Sequence, residues 1–180
     1  AQPVGRPEPT LDGHPRDARR WGRQNASEGG DMIGAVLAKR GATTAYDILG
    51  RQDLEAIADA LHEDAVWEYP GDTVLAGRIE GKPAIVEWFR MWFELMPETR
   101  FTVRHATVEN IFALGLTNTS LVEWELDQVD RDGKRYHVTG VTAFHVERGK
   151  IRHGKDYIFD QDVESTAYPP RATAEAGPQA

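Results

Sequence analysis

Up to about residue 96 the apolar residues recur mostly with helical spacing, and from about residue 100 onward they alternate as in strands. Helices first and long hairpin-connected strands afterwards is the layout of an α+β domain, not of a doubly wound α/β one. The first helix is expected over about Met32–Leu49. Its apolar positions are Ile33, Val36, Leu37, Tyr46 and Leu49, with Gly41 as an interruption and Gly50 at its end. Asp53 is placed to cap a second, short helix on which Leu54, Ile57, Ala58 and Leu61 share a face. The third opens at Pro83 and runs to about Met96, with Ile85, Trp88, Phe89, Trp92 and Phe93 on a broad apolar face. A short strand, Val66–Tyr69, lies between the second and third helices. Four more are expected over about Arg100–Phe112, Thr117–Val129, Arg135–Val146 and Ile151–Phe159. Arg131-Asp132-Gly133 and Arg148-Gly149 supply turns between them.

The two ends differ from this body. Residues 1–31 hold Pro3, Pro7, Pro9 and Pro15, a basic stretch at Arg16, Arg19, Arg20 and Arg23, and few large apolar groups. Such a segment cannot offset its ordering entropy by burial, so it is expected to be a flexible arm. Residues 161–180, with Pro169-Pro170 and Pro178, are expected to be a flexible tail. One domain over residues 32–160 is the result, which suits a chain of 180 residues with 40% apolar content.

Charge and composition remove several classes of function. With 21 Lys and Arg against 29 Asp and Glu the net charge is −8, which weighs against nucleic acid and against an anionic membrane surface as partner. No apolar run approaches the roughly 20 residues that span a bilayer. Without cysteine there is no disulfide, thiol nucleophile, iron–sulfur cluster or Cys-type zinc site. His14, His62, His105, His137, His145 and His153 show no metal-ligand spacing, and His62-Glu63-Asp64 reads as a solvated helix end. Neither a phosphate loop nor a nucleophile elbow is present, so no cofactor and no metal are expected. Residues 1–31 lack the layout of a secretory signal, and a cytoplasmic location is the expectation.

The segment Gly50-Arg51-Gln52-Asp53-Leu54-Glu55-Ala56-Ile57 through Trp67-Glu68-Tyr69-Pro70-Gly71 resembles the opening of a SnoaL-like domain of the nuclear transport factor 2-like superfamily. Leu75-Ala76-Gly77-Arg78-Ile79-Glu80-Gly81-Lys82 resembles the element before that family's third helix. Gly149-Lys150-Ile151 with Asp156-Tyr157-Ile158-Phe159-Asp160 resembles its closing hairpin. The resemblance covers about residues 33–160. It implies a cone, in which a strongly curved antiparallel sheet wraps a pocket that three N-terminal helices close. Homodimers packed through the outer sheet face are frequent in the family. Members include polyketide cyclases, limonene epoxide hydrolase, ketosteroid isomerase and scytalone dehydratase, together with proteins that do no chemistry, so fold does not name the function.

Strand alternation sorts the acids. Glu123, Glu125 and Asp127 share one face of their strand and Val122, Trp124 and Leu126 the other. On the last strand Arg152, Gly154, Asp156 and Ile158 lie together, opposite His153, Lys155 and Tyr157. A regular strand therefore turns His145 and His153 away from Asp156, which suits a structural or interfacial role. A carboxylate inside an apolar cone has a raised pKa and serves as a general acid or base near neutral pH. By resemblance to limonene epoxide hydrolase, Asp156 matches one catalytic carboxylate and Glu125 falls at the other. Glu123 falls where that family has its arginine, so the charge that orients the two acids is missing. By resemblance to the cyclases and the isomerase, Asp156 carries proton transfer beside a carbonyl, with Glu68 near the position of the isomerase base.

The catalytic candidates are thus Asp156, Glu125 and Glu68, with Tyr69 or Tyr157 as hydrogen-bond donors. Tyr69, Trp88, Trp92, Glu123, Val138, Gly140 and Ile158 are the expected ligand-binding set. The expected function is a small cofactor-free enzyme working by carboxylate acid–base catalysis on an apolar carbonyl- or epoxide-bearing metabolite. The alternative is a non-catalytic ligand-binding or dimerisation module of the same fold. An enzyme needs at least two polar groups converging in a water-poor pocket, whereas a binding module needs only the apolar cavity.

Overall fold

The computed structural model describes residues 40–110 and 117–171. The expected arm, the beginning of the first helix and the end of the tail lie outside them. Helix α1 occupies residues 40–50, and Gly41 does not interrupt it. The left-handed residue that ends it is Gln52, with φ of 57°, not Gly50. Gln52 is held there by its side-chain amide, which donates to the Met96 carbonyl at 2.9 Å. Helix α2 (Leu54–Ala60) is capped as expected, with the Asp53 carboxylate accepting from the Ala56 N–H at 3.0 Å.

Strand β1 (Leu61–Tyr69) begins five residues earlier than its apolar pattern suggested, so His62-Glu63-Asp64 lies on a strand and not at a helix end. Then come β2 (Gly77–Glu80) and α3 (Lys82–Leu95), with Pro83 in its first turn and its buried face made of Ile85, Trp88, Phe89, Trp92 and Phe93. The remaining strands are β3 (Glu98–Val108), β4 (Thr117–Val129), β5 (Arg135–Glu147) and β6 (Lys150–Ile158). Arg148 and Gly149, with φ of 51° and 75°, make the two-residue turn between β5 and β6.

The six strands form one open, curved sheet in the order β2-β1-β6-β5-β4-β3. All neighbours are antiparallel except β1 and β6, which run parallel, a mixed pairing within the sheet the resemblance described as antiparallel. Register shifts at Leu61/Val66, Val103/His105 and His145/Val146 bend the strands, as bulges do, and give the sheet its concave face. The last of these lies upstream of Gly154, so the parity that puts Gly154, Asp156 and Ile158 on one face survives. α3 covers the concave face with its aromatic stripe, and the core is there.

Residues 161–171 depart from the expected tail. Gln161–Ala167 form helix α4, and Tyr168 behind it is buried. The chain then straps across residues 72–74, with Val74 N–H bonded to the Pro169 carbonyl and Arg171 N–H to the Asp72 carbonyl, both at 2.8 Å. Pro169 and Pro170, which suggested disorder, are compatible with this because the strap uses their carbonyls or a bridge at Thr73.

Candidate active site

Thr142 and Asp156 are direct cross-strand partners on β5 and β6, both facing inward. Asp156 is 7% exposed. Its Oδ1 accepts from the Thr142 hydroxyl at 2.5 Å and its Oδ2 from the Trp67 indole N–H at 2.8 Å. The Thr142 oxygen in turn accepts from Tyr46 Oη at 2.9 Å and Trp124 Nε1 at 2.8 Å. An indole can only donate, so Trp67 and Trp124 fix the polarity of this chain of bonds around an acceptor carboxylate. Burial pushes the Asp156 carboxyl up to about 6, and the bonds from Thr142 and Trp67 hold it from going higher.

Two glycines let the indoles lie close against the sheet. Trp67 stands opposite Gly154 in the β1–β6 register, and a methyl at Gly154 would come within 2.5 Å of Trp67 Cε3. Trp124 stands opposite Gly140, where a methyl would meet Trp124 Cζ2 at 2.7 Å. The close approach of ring and backbone brings each N–H to Asp156 or Thr142.

Asp156 and Thr142 open onto an inner cavity of about 40 Å³ with largely apolar walls, including Trp67, Trp88, Trp92, Trp124, Phe101 and Tyr69. As closed, its about 40 Å³ has room for a water and not for a metabolite, which could fit only if side chains moved aside. Tyr69 is a further polar group on its wall. Its Oη bonds to Glu164 Oε2 on α4 at 2.5 Å. Glu164 is 6% exposed, and burial, followed by the Asp156 and Asp160 charges, raises it to about 7 against the opposing Tyr69 bond. Beside it the Tyr168 hydroxyl accepts from Trp92 Nε1 and donates to Gln128 Oε1, both at 2.8 Å.

The other expected acids lie elsewhere. Glu125 is on the outer face of β4, paired with Arg104 through both oxygens at 2.6 and 2.5 Å, and that pairing holds its carboxyl below the usual range. Glu123 beside it is exposed and meets His105 at 2.5 Å. Glu68 also faces outward, bonded to Lys155, His153 and Arg78, and Lys155 first among them lowers it. The structure therefore does not bring Glu125 or Glu68 to Asp156. Parity explains this, because each alternates with an indole that must face the core. Tyr157 is half-exposed and turned away from the cavity. Of the expected ligand-binding set, Tyr69, Trp88 and Trp92 line the cavity. Val138 and Ile158 are buried core beyond it, Gly140 carries Trp124, and Glu123 is outside. Among the described residues no cluster of three or more His, Asp and Glu side chains could hold a metal ion. Replacing Glu125 by Gln is expected to leave the urea midpoint and the tryptophan fluorescence unchanged, since exposed pairs contribute little. A large shift of either would place Glu125 in the site.

Sequence reasoning missed Tyr46, Thr142 and Glu164. Tyr46 read as a helix core position, which it also is. Thr142 carries no chemical signal of its own, and only its register opposite Asp156 reveals it.

A curved open sheet with helices over its concave side is the architecture of the nuclear transport factor 2-like class. The chain belongs to the SnoaL-like domain family within it, which matches residues 42–154. Similar solved structures include Bal32a from a soil-derived mobile gene cassette, at 17% identity and TM-score 0.62 over 75% of this chain and 98% of that one. An epoxide hydrolase of M. tuberculosis resembling limonene epoxide hydrolase has 18% identity and TM-score 0.55 over 71% and 88%. TerC, co-crystallised with polyporic acid, has 21% identity and TM-score 0.55 over 74% and 98%. At these identities the likeness is one of fold. No curated protein matches the sequence.

Proposed function

We propose that the protein is a cofactor-free enzyme that moves a proton to and from the carbon beside the carbonyl of an apolar, ring-bearing small molecule. Asp156 is the base that takes the proton and the acid that returns it. One observation carries this reading: the protein groups bonded to Asp156 all donate, so the remaining lone pairs of a carboxylate held at about 6 are available to whatever enters the aromatic cavity. Tyr69 and Thr142, further polar groups on the same wall, favour an enzyme over a binding module.

Isomerisation or cyclisation fits better than epoxide hydrolysis. A hydrolytic site of the limonene type needs a second cavity acid and a cation between the two. Among the described residues the cavity wall has no arginine or lysine, and Glu125 and Glu68 stand outside. That TerC was co-crystallised with polyporic acid supports a small organic ligand in a cone of this kind.

The test is deuterium wash-in. The enolisable bicyclic ketone 2-tetralone, incubated with the protein in deuterium oxide, is expected to exchange its α-hydrogens faster than in buffer, and Asp156→Asn to lose the acceleration. If the wild type and Asp156→Asn exchange it equally fast, Asp156 is not the base. If tetralone quenches the cavity tryptophans without exchanging, the protein binds ligands and does no chemistry.

A further inference from the structure

A base sealed in an apolar cavity must still trade protons with solvent, and Asp156 cannot do so through the groups that hold it. Trp67 has no lone pair to offer, and Thr142 leads to Trp124 and to Tyr46, whose ring borders a mostly apolar outer pocket but whose hydroxyl is turned inward onto Thr142. Among the described residues, the carboxyl that joins this interior to another compartment is on α4. Glu164 bonds through Oε2 to Tyr69, which lines the inner cavity, while Glu164 itself lines a second, outer pocket of about 270 Å³. That pocket is walled by Asp72, Thr73, Gln161 and Ser165 among others, and it has room for several waters. The other oxygen of Glu164, Oε1, is buried and has no partner among the described residues, although the carboxyl is more than nine-tenths buried.

We propose that Glu164, acting through Tyr69, is the proton port of the cavity, passing protons between the inner cavity and water in the outer pocket. The role of the port in turnover rests on the reading of Asp156 as the acid–base group. The step balances as a relay. Protonated Asp156 gives its proton to a water or substrate oxygen in the cavity, and that group donates to Tyr69 Oη. The phenol's own proton passes to Glu164 Oε2, and Glu164 releases a proton to water in the outer pocket. Each O–H bond broken is matched by one formed, and one proton leaves for each that enters.

The charged and titratable groups facing Glu164 are Tyr69 from β1, Asp156 from β6, Asp160 at the start of α4 and Tyr168 at its end. With its carboxyl near neutrality, Glu164 is present in both protonation states at the pH where a relay must run. Tyr69, raised well above its ordinary value chiefly by burial, stays a neutral phenol that accepts and donates in turn. Glu164 is therefore a positioning and relay residue that touches no substrate.

The port can be tested without a substrate. A stopped-flow jump from pH 5 to pH 8, followed by the infrared carbonyl band of the protonated carboxyl, reports how fast Asp156 gives up its proton. Asp156→Asn assigns the band. Glu164→Gln keeps an acceptor for the Tyr69 hydroxyl but cannot relay, and Tyr69→Phe removes the other half independently. Each is expected to slow the Asp156 relaxation at least tenfold, and an unchanged rate in both overturns the proposal. Exchange of the Trp92 indole hydrogen, which bonds to Tyr168, reads opening of the α4 strap in the same samples. If that exchange slows by the same factor as Asp156, breathing of the strap is the route and the port is refuted. If it stays at the wild-type rate, the relay stands. A wild type inert toward ketones but with Glu164-dependent relaxation would keep the port and overturn the enzymatic reading.

Discussion

Asp156→Asn is expected to remove ketone exchange while flattening the loss of stability that the wild type suffers as pH rises. General acid–base catalysis by one side chain contributes about 10²- to 10⁴-fold, and the amide has no proton to trade, so a loss of that order is the expected kinetic result. The stability effect follows from burial. The Asp156 carboxyl moves from 3.8 to about 6 on folding because charge is unwelcome in the cavity. A group raised in the folded state adds stability that is complete below its unfolded value and lost as pH climbs through its folded one. The window for Asp156 is therefore about pH 4 to 7. At about 1.4 kcal/mol for each pH unit of separation the loss is about 3 kcal/mol.

Asn can take the place of the protonated acid. Its carbonyl accepts from Trp67 and its amide donates to Thr142, whose hydroxyl then turns toward Tyr46. A plot of melting temperature against pH should thus fall from pH 4 to 8 in the wild type and fall less in the variant, at roughly 2–4 °C per kcal/mol for a chain of this size. Glu164, raised to about 7 and also buried, adds to the same slope, and the double variant with Glu164→Gln should be flatter still. The outer carboxylates Glu68, Glu125 and Asp130 are held low and contribute in the opposite sense, at acid pH below this window. Parallel curves for wild type and Asp156→Asn would mean that Asp156 titrates normally and is not the buried acid described.

Gly154→Ala is expected to cost about 3 kcal/mol or more, a large effect for a single methyl. The added carbon would stand 2.5 and 2.6 Å from Cε3 and Cζ3 of Trp67. The indole cannot simply lift away, because Phe89, Phe144 and Trp88 pack against it with ring centroids 5.3, 5.9 and 6.3 Å distant. Overpacking of that kind costs about 1–3 kcal/mol, and any tilt that relieves it weakens the N–H bond to a carboxylate, which contributes about 1.5–3 kcal/mol. Gly41→Ala is the control. No atom lies within 4 Å of the added methyl and the residue is helical, so the change should be neutral or slightly stabilising. Urea unfolding followed by tryptophan fluorescence reads both, and a Gly154→Ala protein as stable as the wild type would show that Trp67 is not pinned to the sheet.

The periodicity switch carried most of the fold. Thr117–Val129 and the Arg148-Gly149 turn stand where alternation and turn chemistry place them, and Asp53 caps α2. The site was legible only in part, and the reason is the difference between parity and partnership. Alternation puts Glu125 with Glu123 and Asp127, and the facing set Val122, Trp124 and Leu126 is the more apolar, so the acids belonged outside. Alignment with an epoxide hydrolase motif pointed the other way. Glu68 has the same history, alternating with Trp67 and Tyr69. Glu164 escaped notice for another reason: its helix is seven residues long and followed by two prolines, and only Tyr168 marked the segment as one with something to bury. Burial of a carboxyl depends on contacts some 95 residues apart in sequence, such as Tyr69 with Glu164, and local pattern does not report them.

The parallel pairing of β1 with β6 also sets the order in which the protein can be made. β1 leaves the ribosome early, and beside β2 it has one partner at once, yet its other edge waits for the final strand. Throughout that interval the aromatic stripe of α3 and the indole of Trp67 lack the sheet that will cover them, with a row of unpaired backbone groups alongside. Long-range closure of this kind slows folding and leaves the nascent chain open to association with its neighbours. The same strand that delivers Asp156 thus completes the sheet, so a polypeptide released before β6 would have neither the buried carboxylate nor a protected core.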